Sequence, residues 1–288
     1  MVAADVVEVA LQESAANGVT LNLGQAALVR DMAIRGRRVQ VAIAAAGAGK
    51  TTAMQVLARS WTDGGGNVVG LAHSAAAASA LHSETGIVSD TLAKLVHELD
   101  TGHHSPLSAS IGPETLVVID EVGMADTLTL ARVIDEALAR GASVRLIGDD
   151  RQLSAIGAGG VLRDIAATHG ALRLDELMRF SDPAEAAASL AVRESDASAL
   201  GFYLDQDRVH VGDTSICTDE VFVAWSADRA VGLDSLMLAP TRELVSELNQ
   251  RARAARIDGV PPQAEVNTFN LRLHGCSLGT WAVRDRRY

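Results

Sequence analysis

Residues 41–61 read VAIAAAGAGKTTAMQVLARSW, and no other stretch restricts the fold as tightly. A short apolar run precedes two glycines one residue apart, and Met54, Leu57, Ala58 and Trp61 then recur at i, i+3, i+4 and i+7. That is the pattern of a strand, a tight turn and an amphipathic helix. Gly47 and Gly49 make a continuous alanine-rich helix through a chance Gly-Lys-Thr the poorer reading, and "DGGG" at 63–66 stops the helix that follows. In such a turn consecutive backbone N–H groups face inward at phosphate oxygens, Lys50 neutralises the outer phosphates and the Thr51 hydroxyl binds Mg²⁺. The predicted cradle comprises Gly47, Ala48, Gly49, Lys50, Thr51 and Thr52. The full pattern G-x-x-x-x-G-K-[ST] asks for glycine at position 44, where this chain has Ala44.

The same alternation continues to residue 178. "NVVGLA", "TLVVID" and "SVRLIGDD" read as strands, with helices predicted over 75–81, near 90–99, over 127–140 and after "GAGG". "TLVVID" is apolar throughout, as a central parallel strand covered on both faces must be. Strands alternating with helices imply an α/β fold: a parallel sheet with helices on both faces. After Phe180 the pattern changes to a helical insertion and a short β excursion before residue 213. A strand-then-helix pattern restarts at 235 with "LDSLMLAPTRELVSELNQRARAAR".

Two strand ends carry acids or amides. "LVVIDEVGM" ends in Asp120 and Glu121, at the carboxyl end of a central strand, where α/β folds bind ligands. Asp120 is placed to hold Mg²⁺ and Glu121 to polarise a water attacking the terminal phosphate; a helix cap would need one Asp only. "LIGDDRQL" ends in Gly148, Asp149 and Gln152. A glutamine there can report the γ-phosphate, although Gly-Asp after a strand is also an ordinary turn.

Taken in order, "LNLGQ", "AGAGKTT", "LAHSAAAASAL", "DTLAKL", "IDEVGM", "GDDRQLSAIGAGG", "LDELMRF" and "LAPTRELVSELNQRAR" resemble the motifs of superfamily 1 DNA helicases of the RecD/TraI type. They are most similar to the helicase part of MobF-type conjugative relaxases from actinobacteria. The resemblance covers about residues 15–256. It implies a RecA-like P-loop NTPase that binds ATP and Mg²⁺, hydrolyses ATP and moves on single-stranded DNA. By resemblance Gln25 contacts adenine, and Lys50, Glu121, Gln152 and Arg179 serve catalysis. Thr51 and Asp120 hold the metal, and Ser74, Thr91, Thr241 and Arg242 contact the nucleic acid.

The family usually has proline where His73 stands, and no stretch after residue 256 resembles the later helicase motifs. The implied organisation is a first RecA-like lobe with an adenine-contacting N-terminal segment (1–180), a connecting insertion (181–230) and the start of a second, incomplete lobe (231–288). A relaxase or the remainder of that lobe is the implied partner. Two other readings stay open: an ATP-binding module without turnover, and a different P-loop class such as a packaging or partition ATPase or a kinase.

Composition bounds the partners. A formal net charge of −11 excludes coating nucleic acid by bulk charge, though not a local basic groove. Arg251, Arg253, Arg256, Arg272, Arg284, Arg286 and Arg287 gather near the C-terminus, which a solvated surface explains better than a polyanion-facing edge, the other reading of such a cluster. The two cysteines, Cys217 and Cys276, lack metal or disulfide-framework spacing. His103 and His104 lie in a Gly/Ser/Pro loop without a third ligand. No apolar run reaches the roughly 20 residues a membrane span needs, and the N-terminus lacks the basic charge of a signal peptide; a soluble, cytoplasmic chain is expected.

Overall fold

The computed structural model describes residues 2–34, 36–152, 161–178 and 180–257. The chain divides into two compact units, 1–186 and 187–288. In the first, helices α1 (Ala4–Ala16) and α2 (Leu23–Ile34) precede β1 (Val39–Ala44), α3 (Lys50–Asp63), β2 (Asn67–Ala72), α4 (Ala75–Thr85) and β3 (Val88–Thr91). There follow α5 (Leu92–Thr101), the single turn α6 (Pro106–Ala109), β4 (Thr115–Ile119), a 3₁₀ turn over 122–124, α7 (Thr127–Ala139), β5 (Ser143–Gly148), α8 (Val161–His169) and β6 (Leu172–Leu174). The six strands lie in the order β3-β2-β4-β5-β1-β6. Every pairing is parallel.

Helices cover both faces of this sheet, which is why its central strands are apolar on both sides. One core gathers Val29, Met32, Leu57, Trp61 and Val118 around α1 to α3; the other gathers Leu95, Val117, Ile119, Leu130 and Leu146 around α5, α7 and α8. Met54, Leu57, Ala58 and Trp61 are all buried, as the helical spacing in the sequence requires. The Trp61 indole N–H donates to the Glu114 carbonyl (2.9 Å), and its ring lies 5.8 Å from the guanidinium carbon of Arg145. Trp61 is thus a core residue.

Arg145 is the largest fully buried side chain of the described residues. It projects from β5 and donates to the main-chain carbonyls of Met32 (2.9 and 2.6 Å), Arg37 (3.3 Å) and Val144 (3.0 Å). Met32 lies in the last turn of α2, whose carbonyls have no partner within the helix. Burial lowers the pKa of Arg145 to about 10, so the group stays charged at neutral pH.

On α5, Glu98 is buried and accepts from the Ser105 N–H (3.1 Å) and Ser105 hydroxyl (2.9 Å), fixing the loop that carries His103 and His104. Hydrogen bonds from Ser108 and Ser105 hold its carboxyl at about 2, below the ordinary 4.5. A depressed carboxylate stabilises the fold above its unfolded pKa, and that contribution is lost as pH falls from 4.5 through 2. Glu98→Gln is therefore expected to flatten the fall of stability across that window. Urea unfolding at pH 5 and pH 3 checks this, since the variant should lose less stability than the wild type.

The division at 186/187 falls inside α9 (Pro183–Arg193), after which come α10 (Ala199–Asp205), α11 (Thr214–Ala230) and α12 (Arg242–Ile257). The β excursion expected before residue 213 does not form. Residues 208–213 are irregular, and Asp213 then caps α11 by accepting the Ile216 N–H at 2.9 Å. Nor does a strand form at 235; residues 233–239 are irregular. A strand needs a neighbour to pair with, and the described residues of this unit contain none. The helix expected after it is present as α12. Phe202 and Tyr203 pack edge to face at 5.3 Å, and Arg251 on α12 pairs with Asp219 (2.5 Å) and Glu247 (2.6 Å).

None of the described helices is long and apolar enough to cross a membrane. No group of three or more His, Cys, Asp or Glu side chains among the described residues could hold a metal ion.

Candidate phosphate-binding site

In a parallel sheet the loops that leave the carboxyl ends of the strands share one edge. β1 leads into Gly47–Lys50, β2 into Ser74, β3 into Thr91, β4 into Asp120 and Glu121, β5 into Asp149–Gln152, and β6 into Met178. Six residue runs far apart in sequence thus meet along one rim of the first unit.

Ala44 is the last residue of β1, buried and paired with Leu174 of β6. The position where the loop pattern asks for glycine is thus extended strand, which any residue adopts. The turn proper begins with the Ala48 N–H donating to the Ala45 carbonyl (3.0 Å) and passes through Gly47 (φ +86°) and Gly49 (φ +71°). Gly49 occupies the N-cap of α3, and no side chain caps that helix end. By contrast Ser74 caps α4, Thr91 caps α5 and Asp126 caps α7. The first N–H groups of α3 are left for an external acceptor, and the positive end of the helix dipole favours an anion.

Lys50 lies between the two acids of β4. Its ammonium is 2.8 Å from Asp120 Oδ1 and 2.5 Å from Glu121 Oε1. Burial works against the charge, but Asp120 and then Glu121 outweigh it, and the lysine pKa stands above its ordinary value. Glu121 is one of three non-glycine residues with positive φ among the described residues (φ 51°, ψ 44°). Left-handed backbone costs a branched or long residue about 1–3 kcal/mol and collects at functional sites. The turn is held by the Glu121 N–H donating to Asp120 Oδ1 (2.9 Å) and the Met124 N–H donating to the Glu121 carbonyl (3.0 Å). Gly148, at the end of β5, allows the close approach of that turn: a Cβ there would lie 3.1 Å from the Val122 nitrogen.

Gln25 is buried at the loop. Its Nε2 donates to the carbonyls of Ala48 (3.1 Å) and Gly49 (3.2 Å), and its Oε1 accepts the Asn22 N–H (2.9 Å). The Asn22 Oδ1 accepts the Gln25 N–H in return (2.8 Å), forming a reciprocal capping box at the start of α2. Both ends of the Gln25 amide are therefore engaged within the protein, and contact with a base requires it to release the loop carbonyls. Asn22 also donates to Glu176 (2.8 Å) and approaches Met178 Sδ (3.3 Å), while the Met178 N–H donates to the Gly47 carbonyl (2.8 Å). Sequence reasoning missed Asn22, although "NLGQ" carries the spacing of a cap.

Among the other expected residues, Thr51 and Thr52 open α3, and the Thr51 hydroxyl donates to Glu84 on α4 (3.1 Å). Ser74 and Thr91 accept the N–H groups of Ala77 (3.2 Å) and Lys94 (3.1 Å) as helix caps. Gln152 is exposed in the turn after β5, and Arg179 lies outside the described residues. In the second unit Thr241 accepts the Leu244 N–H (3.3 Å) at the start of α12, where Arg242 is exposed.

A family model described as an AAA domain matches residues 20–214. The chain belongs to that family. Over 223 residues this AAA domain chain is 31% identical to a probable conjugal transfer protein TraA of Sinorhizobium fredii, covering 77% of this chain and 20% of that protein. It is 31% identical over 224 residues to the conjugal transfer protein TraA of Rhizobium radiobacter, with the same shares. The chain spans about a fifth of the length of these curated relatives. Among solved structures, AMPPCP-bound DnaA from Aquifex aeolicus overlaps 79% of this chain and 74% of its own at 11% identity and a TM-score of 0.35, a likeness too loose to bear on the site. The resemblance to RecD/TraI-type proteins thus holds at the level of a P-loop AAA domain related to conjugal transfer proteins.

Proposed function

We propose that the chain is an ATP-binding and ATP-hydrolysing motor of the superfamily 1 helicase type that acts on single-stranded DNA in conjugative transfer. The observation that carries this reading is Lys50 held between Asp120 and Glu121 beside a helix N-terminus that no side chain caps. That arrangement fits Mg²⁺ and a polyphosphate: the cation site is built of oxygen donors and the anion site of N–H groups and an ammonium.

In this reading the loop N–H groups and Lys50 bind the β and γ phosphates, and Thr51 and Asp120 hold the metal. Bound Mg²⁺ neutralises charge on the phosphate oxygens. Glu121, freed from Lys50 once the lysine turns to phosphate, accepts a proton from the attacking water. Gln152 and Arg179 respond to the γ-phosphate, and Gln25 reaches adenine after releasing Ala48 and Gly49. Ser74 and Thr91 contact the DNA backbone from the N-terminal ends of α4 and α5, which follow the paired strands β2 and β3, and Thr241 and Arg242 do so from the second unit.

The test is ATP hydrolysis with and without single-stranded DNA, against Lys50→Ala. Hydrolysis that rises with DNA and vanishes in the variant supports the motor. ATP binding without hydrolysis in either condition would replace it with a nucleotide-binding module.

Gly49 offers a separate check on the loop. A Cβ at Gly49 would lie 2.1 Å from Gln25 Nε2, at a backbone φ of +71° that alanine resists. The Gln25 amide must give up its loop carbonyls to make room, and the left-handed backbone at position 49 stays strained even when it does. Gly49→Ala is expected to weaken binding of a fluorescent ATP analogue by about tenfold or more, equivalent to about 1.4 kcal/mol.

A further inference from the structure

The proposed mechanism leaves Glu84 without a role. It lies in the last turn of α4, at the opposite end from the Ser74 cap, and is brought against the first two turns of α3 by two contacts. Its carboxylate accepts the Thr51 hydroxyl at 3.1 Å, and its main-chain carbonyl accepts the Gln55 side-chain amide at 3.0 Å. The second contact holds the last turn of α4 beside α3, within reach of Thr51 for the exposed Glu84 side chain.

A hydroxyl has one proton to give and two lone pairs to offer. With its proton directed at a carboxylate, the Thr51 oxygen presents its lone pairs elsewhere and is the more basic for it. Carboxylates that receive the proton of a metal ligand orient that ligand and strengthen its bond to the metal.

We propose that Glu84 is a positioning residue for the metal: it orients the Thr51 hydroxyl so that its lone pairs face the cation of a bound metal–nucleotide. This rests on the reading of Thr51 as a metal ligand given above. Glu84 itself stays outside the coordination sphere.

The experiment measures binding of a methylanthraniloyl derivative of ATP to the full chain by fluorescence, first in EDTA and then across a Mg²⁺ titration. Glu84→Gln is expected to bind the nucleotide in EDTA as the wild type does, while its Mg²⁺ half-saturation rises about tenfold. Thr51→Ala should raise the half-saturation too, and adding Glu84→Gln to it should change nothing further, because Glu84 acts through that hydroxyl. Glu84→Asp, which keeps the charge on a shorter stem, should recover part of the loss. An unchanged half-saturation in Glu84→Gln, or additive effects in the double variant, would overturn the inference. Lys50→Ala separates the two levels: if it binds the nucleotide in EDTA as tightly as the wild type, the phosphate-loop reading itself fails.

Discussion

Glu121→Gln is expected to lower ATP hydrolysis by about 10²–10⁴-fold, the usual loss when a positioned general base is removed, with nucleotide binding retained. The amide keeps the shape of the side chain and cannot take a proton from water. The backbone at Glu121 adds a second expectation that a simple loss of the base would not. Its φ of 51° is one that glycine adopts without cost. Glu121→Gly should therefore gain about 1 kcal/mol of backbone relief, set against the lost ion pair with Lys50, which Asp120 still partners. Thermal unfolding of the two variants beside their turnover checks this: Glu121→Gly should be the more stable of the pair, and both should be inactive. If both retain wild-type turnover, Glu121 is not the base.

Arg145→Met is expected to produce the largest loss of stability. The methionine fills much of the space but donates nothing, which leaves the Met32 and Arg37 carbonyls without the donor that reaches them. Each stranded buried acceptor costs about 1–3 kcal/mol, so with two of them the variant should lose about 2–6 kcal/mol. For a unit of this size that corresponds to a fall in Tm of about 10 °C. Arg145→Lys should recover only part, because an ammonium lacks the planar fork that serves two carbonyls at once. A Tm within 2 °C of wild type for Arg145→Met, on the order of 1 kcal/mol or less, would show that the carbonyls find other donors.

Much of the first unit was legible in the sequence because its central strands are apolar on both sides. β4 is a continuous apolar run, β1, β2 and β5 are predominantly apolar with Gln40 and Arg145 as buried polar exceptions in β1 and β5, and α3 and α7 keep a clear apolar face. β3 and β6 were not legible. "VSDT" and "LRL" are short and partly polar, and both are edge strands, whose pairing is decided by the neighbour they meet. The second unit misled for a related reason: "LDSLMLAP" has the apolar content of a strand, but content alone does not supply a partner.

The site shows the same division. Lys50, Asp120 and Glu121 could be read because each sits in a motif that demands its chemistry, and the structure brings the three together. Ala44 could be flagged but not explained, since only the strand pairing reveals that its position needs no glycine. Glu84 was out of reach: its partner Thr51 stands 33 residues away in sequence, and nothing local distinguishes a glutamate that meets a threonine from one that meets water. Asn22 carried a local signal in its capping spacing to Gln25, but its contact with Glu176 lies 154 residues away.

The capping box of Asn22 and Gln25 bears on where this domain begins. Every residue by which the phosphate loop is recognised lies after position 40, yet the turn's carbonyls are gripped by an amide from α2. That helix is itself buried against α1, through Val7, Ala10, Val29 and Met32, and tied to it by Arg30 and Glu8 at 2.5 Å. A chain trimmed to the first strand would keep the whole recognisable sequence of the loop and lose its scaffolding. The loop's identity and the loop's rigidity are written in different parts of the chain.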